Sequence, residues 1–178
     1  YTLENQYIES VWHLLKTIWD KGLIQQDYKV VPYDPRIGAT LSSHEVAQGY
    51  KETVDPSITV RFELLDGSAT FLVWTTTPWT LPSNLALAVG DDIDYVYVEL
   101  EGETLILAEA RVSEVLKEAP IQIVKTVKGR ELVGMRYQRL FDYLDAPGDI
   151  CRVLSADFVS TEDGTGIVHV APAYGVDD

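Results

Sequence analysis

After Gly22 the sequence changes period, and that change constrains the fold more than any other feature. Before it, residues 4–21 carry Ile8, Val11, Trp12, Leu15, Ile18 and Trp19 at three- and four-residue spacing, which predicts a helix with one apolar stripe. Gly22 stands where such a helix stops. The two tryptophans of the stripe are expected in a core. Beyond Gly22, short runs rich in Val, Ile, Tyr and Thr alternate with Gly, Pro and Asp. They predict strands over 28–31, 58–64, 69–75, 85–89, 95–100, 104–108, 121–126, 153–156 and 167–170. Residues 95–107 read as a hairpin turning at Glu101-Gly102, and 111–117 as a short helix. Many short strands separated by turn residues point to a barrel or sandwich. Residues 1–49 differ in character from 50–178, so a helix with linker strands is expected to precede a β-rich domain.

The 178 residues are enough for one domain of ordinary size with a real core. The charge is strongly acidic, 14 basic against 28 acidic residues for a net −14. Phosphate binding draws its affinity from Lys and Arg, so this chain is expected to touch only a tip of any RNA, with other protein holding the backbone. A single cysteine, Cys151, excludes an internal disulfide, fits a reducing compartment such as the cytoplasm, and reads as a small core residue. No apolar run approaches the ~20 residues of a membrane span, and no membrane partner is expected. The chain opens on polar residues without a basic patch and without Met, which suggests a piece of a longer protein and no signal peptide.

Two stretches carry the chemistry. The first is Trp74-Thr-Thr-Thr-Pro-Trp-Thr-Leu-Pro-Ser-Asn84. An apolar strand runs into three threonines, and Pro78 cannot continue a central ladder. Thr75, Thr76 and Thr77 are therefore expected at a strand end, with hydroxyls facing a cleft. Each hydroxyl donates and accepts, so together they can hold an ester carbonyl, a ribose hydroxyl and a water. A bare threonine run is otherwise an ordinary strand; the Pro-Trp-Thr-Leu-Pro that follows and Asn84 set this one apart.

The second is Glu162-Asp-Gly-Thr-Gly-Ile-Val-His-Val-Ala-Pro-Ala-Tyr-Gly-Val-Asp-Asp178. Gly164 and Gly166 bracket Thr165 in a tight turn. Along the next strand Val168 and Val170 point one way, Ile167 and His169 the other. Pro172 ends it, delivering Asp177 and Asp178 to a loop or helix start, where a carboxylate can pair with an ammonium group. A core histidine and a capping aspartate are the plainer alternatives. His13, His44 and His169 are scattered and form no metal set with one cysteine. Gly-Thr-Gly is too short for a phosphate loop, and no nucleophile elbow appears.

These two stretches resemble the editing domain inserted in isoleucyl-tRNA synthetases, and the likeness extends over almost the whole chain. Tyr28-Lys-Val-Val-Pro-Tyr33 and Leu41-Ser-Ser-His-Glu-Val-Ala-Gln-Gly-Tyr50 are similar to the stretch leading into that insertion. Valyl and leucyl relatives usually carry Arg where Thr77 stands and an acidic residue where Trp79 stands, so both positions follow the isoleucyl pattern. The resemblance implies a mainly β fold, a β-barrel editing domain with peripheral helices. It implies hydrolysis of valine misattached to the isoleucine tRNA, with isoleucyl-tRNA rejected, and leaves open whether valyl-adenylate is also a substrate. A first hydrophobic pocket separates two side chains one methylene apart only modestly, so a second, smaller pocket removes the error.

By the same resemblance Thr75, Thr76 and Thr77 form the hydroxyl cluster round the ester and terminal ribose. Trp79 walls the terminal-adenosine site, Asn84 is a supporting hydrogen-bonding residue, and His169 lines the side-chain pocket. Asp178 pairs with the α-ammonium. The implied partners are the tRNA 3′ end carrying valine and the rest of the synthetase. Many members carry Cys-x-x-Cys after the Val-Pro-Tyr stretch; here Asp34 and Ile37 occupy those places, and Ile37 cannot ligate zinc, so no metal is expected. The ATP signatures are absent as well. ATP and magnesium are therefore expected of the parent enzyme and no cofactor of this stretch. The rival readings are a valyl-type domain acting on threonyl-tRNA and a non-catalytic module binding the tRNA acceptor end.

Overall fold

The computed structural model describes every residue except 118, 144, 173 and 176. The chain divides into two compact units, Tyr1–Gln48 and Gly49–Asp178. No described helix is long and apolar enough to cross a membrane.

In the first unit the predicted helix forms as α1 (Asn5–Asp20). It closes as expected at Gly22: the Gly22 amide donates to Trp19 and the Leu23 amide to Ile18, the two bonds of a Schellman ending. The expectation for its tryptophans fails. Trp12 and Trp19 are 68% and 60% exposed. Periodicity reports that a stripe exists, not what covers it. Among the described residues this unit adds only the antiparallel pair β1 (Tyr33–Asp34) and β2 (Ala39–Thr40) and the short helix α2 (Ser43–Gln48). A reciprocal box starts α2: the Ser42 amide donates to the Glu45 carboxylate at 2.8 Å and the Glu45 amide to the Ser42 hydroxyl at 3.3 Å. The Ser42 amide and the Ser42 hydroxyl, both donating to the Glu45 carboxylate, hold that carboxyl below its ordinary range. The strand predicted over 28–31 does not form; pairing starts only after Pro32, which has no N–H to donate.

In the second unit all eight strands predicted from residue 58 onward appear, shifted at their ends by one or two residues. They are β3 (Ile58–Glu63), β4 (Thr70–Thr75), β5 (Ala86–Val89), β6 (Asp94–Leu100), β7 (Glu103–Ala108), β8 (Gln122–Lys128), β9 (Arg152–Ser155) and β10 (Val168–Val170). β6 and β7 pair across the Glu101-Gly102 turn, as expected. One sheet runs β3-β4-β7-β6-β8, the other β10-β5-β9; β4–β7 and β5–β9 are parallel and the remaining pairs antiparallel. Single bridges from Leu64 to Tyr137 and from Arg136 to Arg152 carry the pairing from the edge of β3 to the edge of β9. The two sheets therefore wrap around a common core in barrel fashion.

That core takes Phe62, Phe71, Tyr95 and Ile106 from the larger sheet and Leu87 and Val153 from the smaller. Burying each contributes about 1.5–3 kcal/mol. Side chains alternate across β4: Phe71 and Val73 enter this core, while Leu72 joins Val96, Val98, Leu105 and Leu107 on the outer face. Val112 and Val115 of α3 (Val112–Val115) cover that outer face, so α3 is a peripheral helix. α4 (Gly129–Leu132) inserts Leu132 into the core. β4 is thus held between β3 and β7 with both faces covered, and its last residue is Thr75.

Candidate active site

Pro78 has no N–H to continue the β4 ladder, and the chain turns there into a 3-10 helix, Pro78–Ser83. The turn is held at its start by the Thr77 carbonyl, which accepts the Thr80 amide at 3.0 Å and the Thr80 hydroxyl at 2.8 Å. It delivers Asn84 to the head of β5. β10 lies antiparallel on β5, with His169 opposite Leu87. Two stretches about 90 residues apart in sequence are so brought to one end of the smaller sheet and the end of β4.

The Gly-Thr-Gly turn fastens them. Gly164 and Gly166 take φ of +66° and +73°, a region costly for residues with a Cβ. A Cβ at 164 would lie 2.8 Å from the Trp74 ring, and one at 166 would lie 2.4 Å from Ala108 Cβ. Between them, buried Thr165 accepts the Trp74 amide on its hydroxyl at 3.3 Å and the Ala108 amide on its carbonyl at 2.9 Å. The Arg111 guanidinium donates to the carbonyls of Gly164 (3.0 Å) and Glu162 (3.1 Å). The Tyr95 hydroxyl donates to the Gly166 carbonyl at 2.6 Å and accepts the Gly90 amide at 3.1 Å; burial pushes this phenol up to about 12.

A cavity of about 340 Å³ opens at this junction, near the lower end of the ~300–1,000 Å³ of small-molecule sites. Thr75, Thr76, Thr77, Trp79, His169 and Asp178 line it, together with Trp74, Thr80, Val168 and Tyr174. Six of the seven residues singled out from sequence thus share one cavity. The seventh, Asn84, is buried and touches the cavity through His169. Trp79 stands at the rim, 68% exposed, and Asp178 is exposed. Residues 173 and 176 of the second stretch lie outside the described residues. Among the described residues no three His, Cys, Asp or Glu come together as metal ligands would.

The hydroxyls form a row. Thr75 Oγ1 lies 3.3 Å from Thr77 Oγ1, which lies 3.4 Å from Thr80 Oγ1, which lies 2.8 Å from His169 Nε2. The row has a direction. Thr80 gives its proton to the Thr77 carbonyl, an obligatory acceptor, so its oxygen accepts from Nε2–H. On the far side of the ring, Asn84 Nδ2 donates to the Ala86 carbonyl at 2.9 Å and toward His169 Nδ1 at 3.4 Å. Tyr137 donates its hydroxyl to Asn84 Oδ1 at 2.6 Å. Two backbone carbonyls, one at each end, therefore select the same ring form: Nε2 protonated, Nδ1 accepting. Burial lowers the pKa of His169 below its ordinary value, against an opposing pull from Asp178. The ring is neutral, with both nitrogens engaged.

Sequence reasoning missed Thr80 and Tyr137. Thr80 sits inside the quoted Pro-Trp-Thr-Leu-Pro run, and that run was its signal. Tyr137 had none, because the link from 137 to 84 depends on how the sheets wrap.

The family model for tRNA synthetases class I (I, L, M and V) matches residues 1–167. Proteins named isoleucine--tRNA ligase are similar to almost all of the chain. That of Thermoplasma acidophilum is 50% identical over 178 residues and that of Clostridium novyi 51%, each alignment covering 99% of this chain and 17% of the relative. The chain thus spans about a sixth of the length of these relatives. Among solved structures, GlLeuRS-CP1 superposes with TM-score 0.54 at 17% identity, covering 64% of this chain and 54% of that one. The P. knowlesi cytosolic leucyl-tRNA synthetase editing domain gives 0.52 at 14% identity, over 65% and 58%. At such identities these two speak for the fold, which is the barrel-like editing fold expected from sequence. With the family model matching nearly end to end, the chain belongs to the class I tRNA synthetases (I, L, M and V) and has the fold of their editing domains.

Proposed function

We propose that this domain hydrolyses valine misattached to the isoleucine tRNA, as the editing part of a parent isoleucine--tRNA ligase. The observation that carries the reading is the row of hydroxyls leading to a neutral, doubly held imidazole in a cavity of about 340 Å³. Such a wall offers donors and acceptors to an ester, a ribose hydroxyl and a water, without a charge that would fix on the ester itself. Thr75, Thr76 and Thr77 orient these groups, Asp178 at the rim receives the α-ammonium, and Trp79 stacks on the terminal adenine.

In this mechanism water attacks the ester carbonyl, and the aminoacyl carbon–oxygen bond breaks to release valine and the free ribose hydroxyl. Rate comes from orientation and from dipoles fixed before the reaction. His169 is a wall rather than a base: Nδ1 accepts from Asn84, and Nε2 already carries a proton. Its bulk and that of Thr80 set the pocket size that admits valine and stops isoleucine. The reaction needs no metal or cofactor from this domain; ATP and magnesium belong to the parent's amino-acid activation. Valyl-adenylate presents the same acyl group and is a further substrate in this reading. The partners are the valine-bearing 3′ end of the isoleucine tRNA and the rest of the parent. The −14 charge favours contact with the RNA tip alone. The cytoplasm is the proposed compartment.

A test is binding of non-hydrolysable 2′-amide analogues of valyl-, isoleucyl- and threonyl-adenosine, followed by calorimetry. Valyl analogue binding with isoleucyl rejected supports the reading. Preference for the threonyl analogue instead points to a valyl-type domain, and equal binding of all three to a non-catalytic end-binding module.

A further inference from the structure

We infer that Tyr137 is a positioning residue of this cavity, acting through Asn84 to hold His169 in the orientation and tautomer that face Thr80. The inference rests on the reading of His169 as the wall that sizes the pocket, and it adds a residue that does not line the cavity.

Tyr137 is 1% exposed and sits on the bridge that carries pairing from β3 to β9. Its backbone is pinned on both sides, by Leu64 and by the Cys151 carbonyl, which accepts its amide at 3.1 Å. Its ring meets Phe62 edge-on, with centroids 5.2 Å apart at 89°. Ring and backbone together fix where the hydroxyl points, and it points at Asn84 Oδ1, 2.6 Å away. Burial raises this phenol well above its ordinary value, so it remains a donor wherever the protein is folded.

Asn84 has one oxygen and one NH₂ to place. Its NH₂ serves the Ala86 carbonyl and His169 Nδ1, which leaves Oδ1 to accept from Tyr137. The contact to Nδ1 is the longest of the three, at 3.4 Å, and depends most on the amide staying still. Without the Tyr137 hydroxyl, Oδ1 is a buried acceptor with no donor, and the amide gains by turning away. His169 is then held only from the Thr80 side. A core tyrosine needs an acceptor of some kind; here the acceptor is the amide whose other end meets the cavity's imidazole.

The test uses the 178-residue chain with ¹⁵N-labelled histidine, reading the ring nitrogens of His169. The expected wild-type spectrum shows one tautomer, with Nε2 protonated and Nδ1 an accepting nitrogen; an even mixture of tautomers in the wild type overturns the inference. In Tyr137→Phe, which keeps the ring against Phe62, the two ¹⁵N shifts are expected to move toward each other, and valyl-over-isoleucyl discrimination in ester hydrolysis to fall severalfold. Phe62→Leu loosens the same core spot without touching the hydroxyl; it is expected to lower the melting temperature while leaving the shifts in place. Unchanged shifts in Tyr137→Phe, or equal changes in Phe62→Leu, contradict the inference. The spectra need no tRNA, so failure of both the chain and its full-length parent to hydrolyse the ester defeats the editing reading while the shifts still decide the role of Tyr137.

Discussion

The Thr80 hydroxyl lies 2.8 Å from His169 Nε2 and 2.8 Å from the Thr77 carbonyl. One oxygen thus joins the turn after β4 to the second stretch and decides which ring nitrogen bears the proton. Thr80→Val keeps the shape and removes both bonds. Leaving Nε2–H and the Thr77 carbonyl without this partner is expected to cost about 1–3 kcal/mol, read by chemical denaturation. Discrimination against the isoleucyl ester is expected to weaken, and Thr80→Ser to retain it. A Thr80→Val protein as stable and selective as wild type contradicts the network.

The His169 ring gives the fold a pH dependence of definite sign. Burial lowers its pKa in the folded state, with Asp178 opposing. The unfolded chain therefore takes up this proton first as pH falls. The contribution is present in full above the unfolded value of about 6.5 and is lost as pH drops from there through the lower folded value. Asp178→Asn removes the opposing pull and is expected to lower the His169 midpoint further in an NMR titration. A midpoint that rises contradicts the assignment.

At the Gly-Thr-Gly turn, Gly166→Ala is expected to destabilise by more than about 1–2 kcal/mol from the left-handed backbone alone. The new Cβ also meets Ala108 Cβ, 2.4 Å away. Ala108→Gly in the same chain is expected to restore the steric part and not the backbone part, a coupling that a double-mutant cycle measures. Strictly additive effects contradict the contact.

Trp79, 68% exposed, should matter for binding rather than for the fold. Trp79→Ala is expected to change stability by no more than about 0.5 kcal/mol and to weaken binding of an aminoacyl-adenosine analogue by about 1–3 kcal/mol, the range of base stacking. Unchanged affinity would remove Trp79 from the adenosine site.

What the sequence revealed divides along physical lines. Strands from residue 58 onward were legible as short runs of β-branched, aromatic and aliphatic residues between turn residues, and in β4 successive side chains serve two cores, Phe71 and Val73 one and Leu72 the other. The hydroxyl cluster was legible because Pro78 stops β4 and leaves the threonines at its end, whereas His169, in the middle of β10, was legible as a cavity residue only through the family resemblance. The 28–31 run has the same β-branched composition, yet among the described residues no partner strand meets it, and composition does not encode pairing. The box of Ser42 and Glu45 stands in the letters Ser42-Ser-His-Glu45, a helix-start signal inside the stretch where linker strands are expected. Tyr137 was beyond reach: its role depends on a bridge between sheet edges and a bond across 53 positions.

The central claim, that the cavity at the end of β4 removes valine and spares isoleucine, is tested most directly by release of labelled amino acid. Valyl- and isoleucyl-esters of the isoleucine tRNA would be presented to the 178-residue chain and to the full-length parent, with EDTA throughout. The account expects the valyl ester to be cleaved well above its spontaneous rate and the isoleucyl ester to be left at that rate. Equal cleavage of both, or no cleavage of the valyl ester even by the parent, contradicts it.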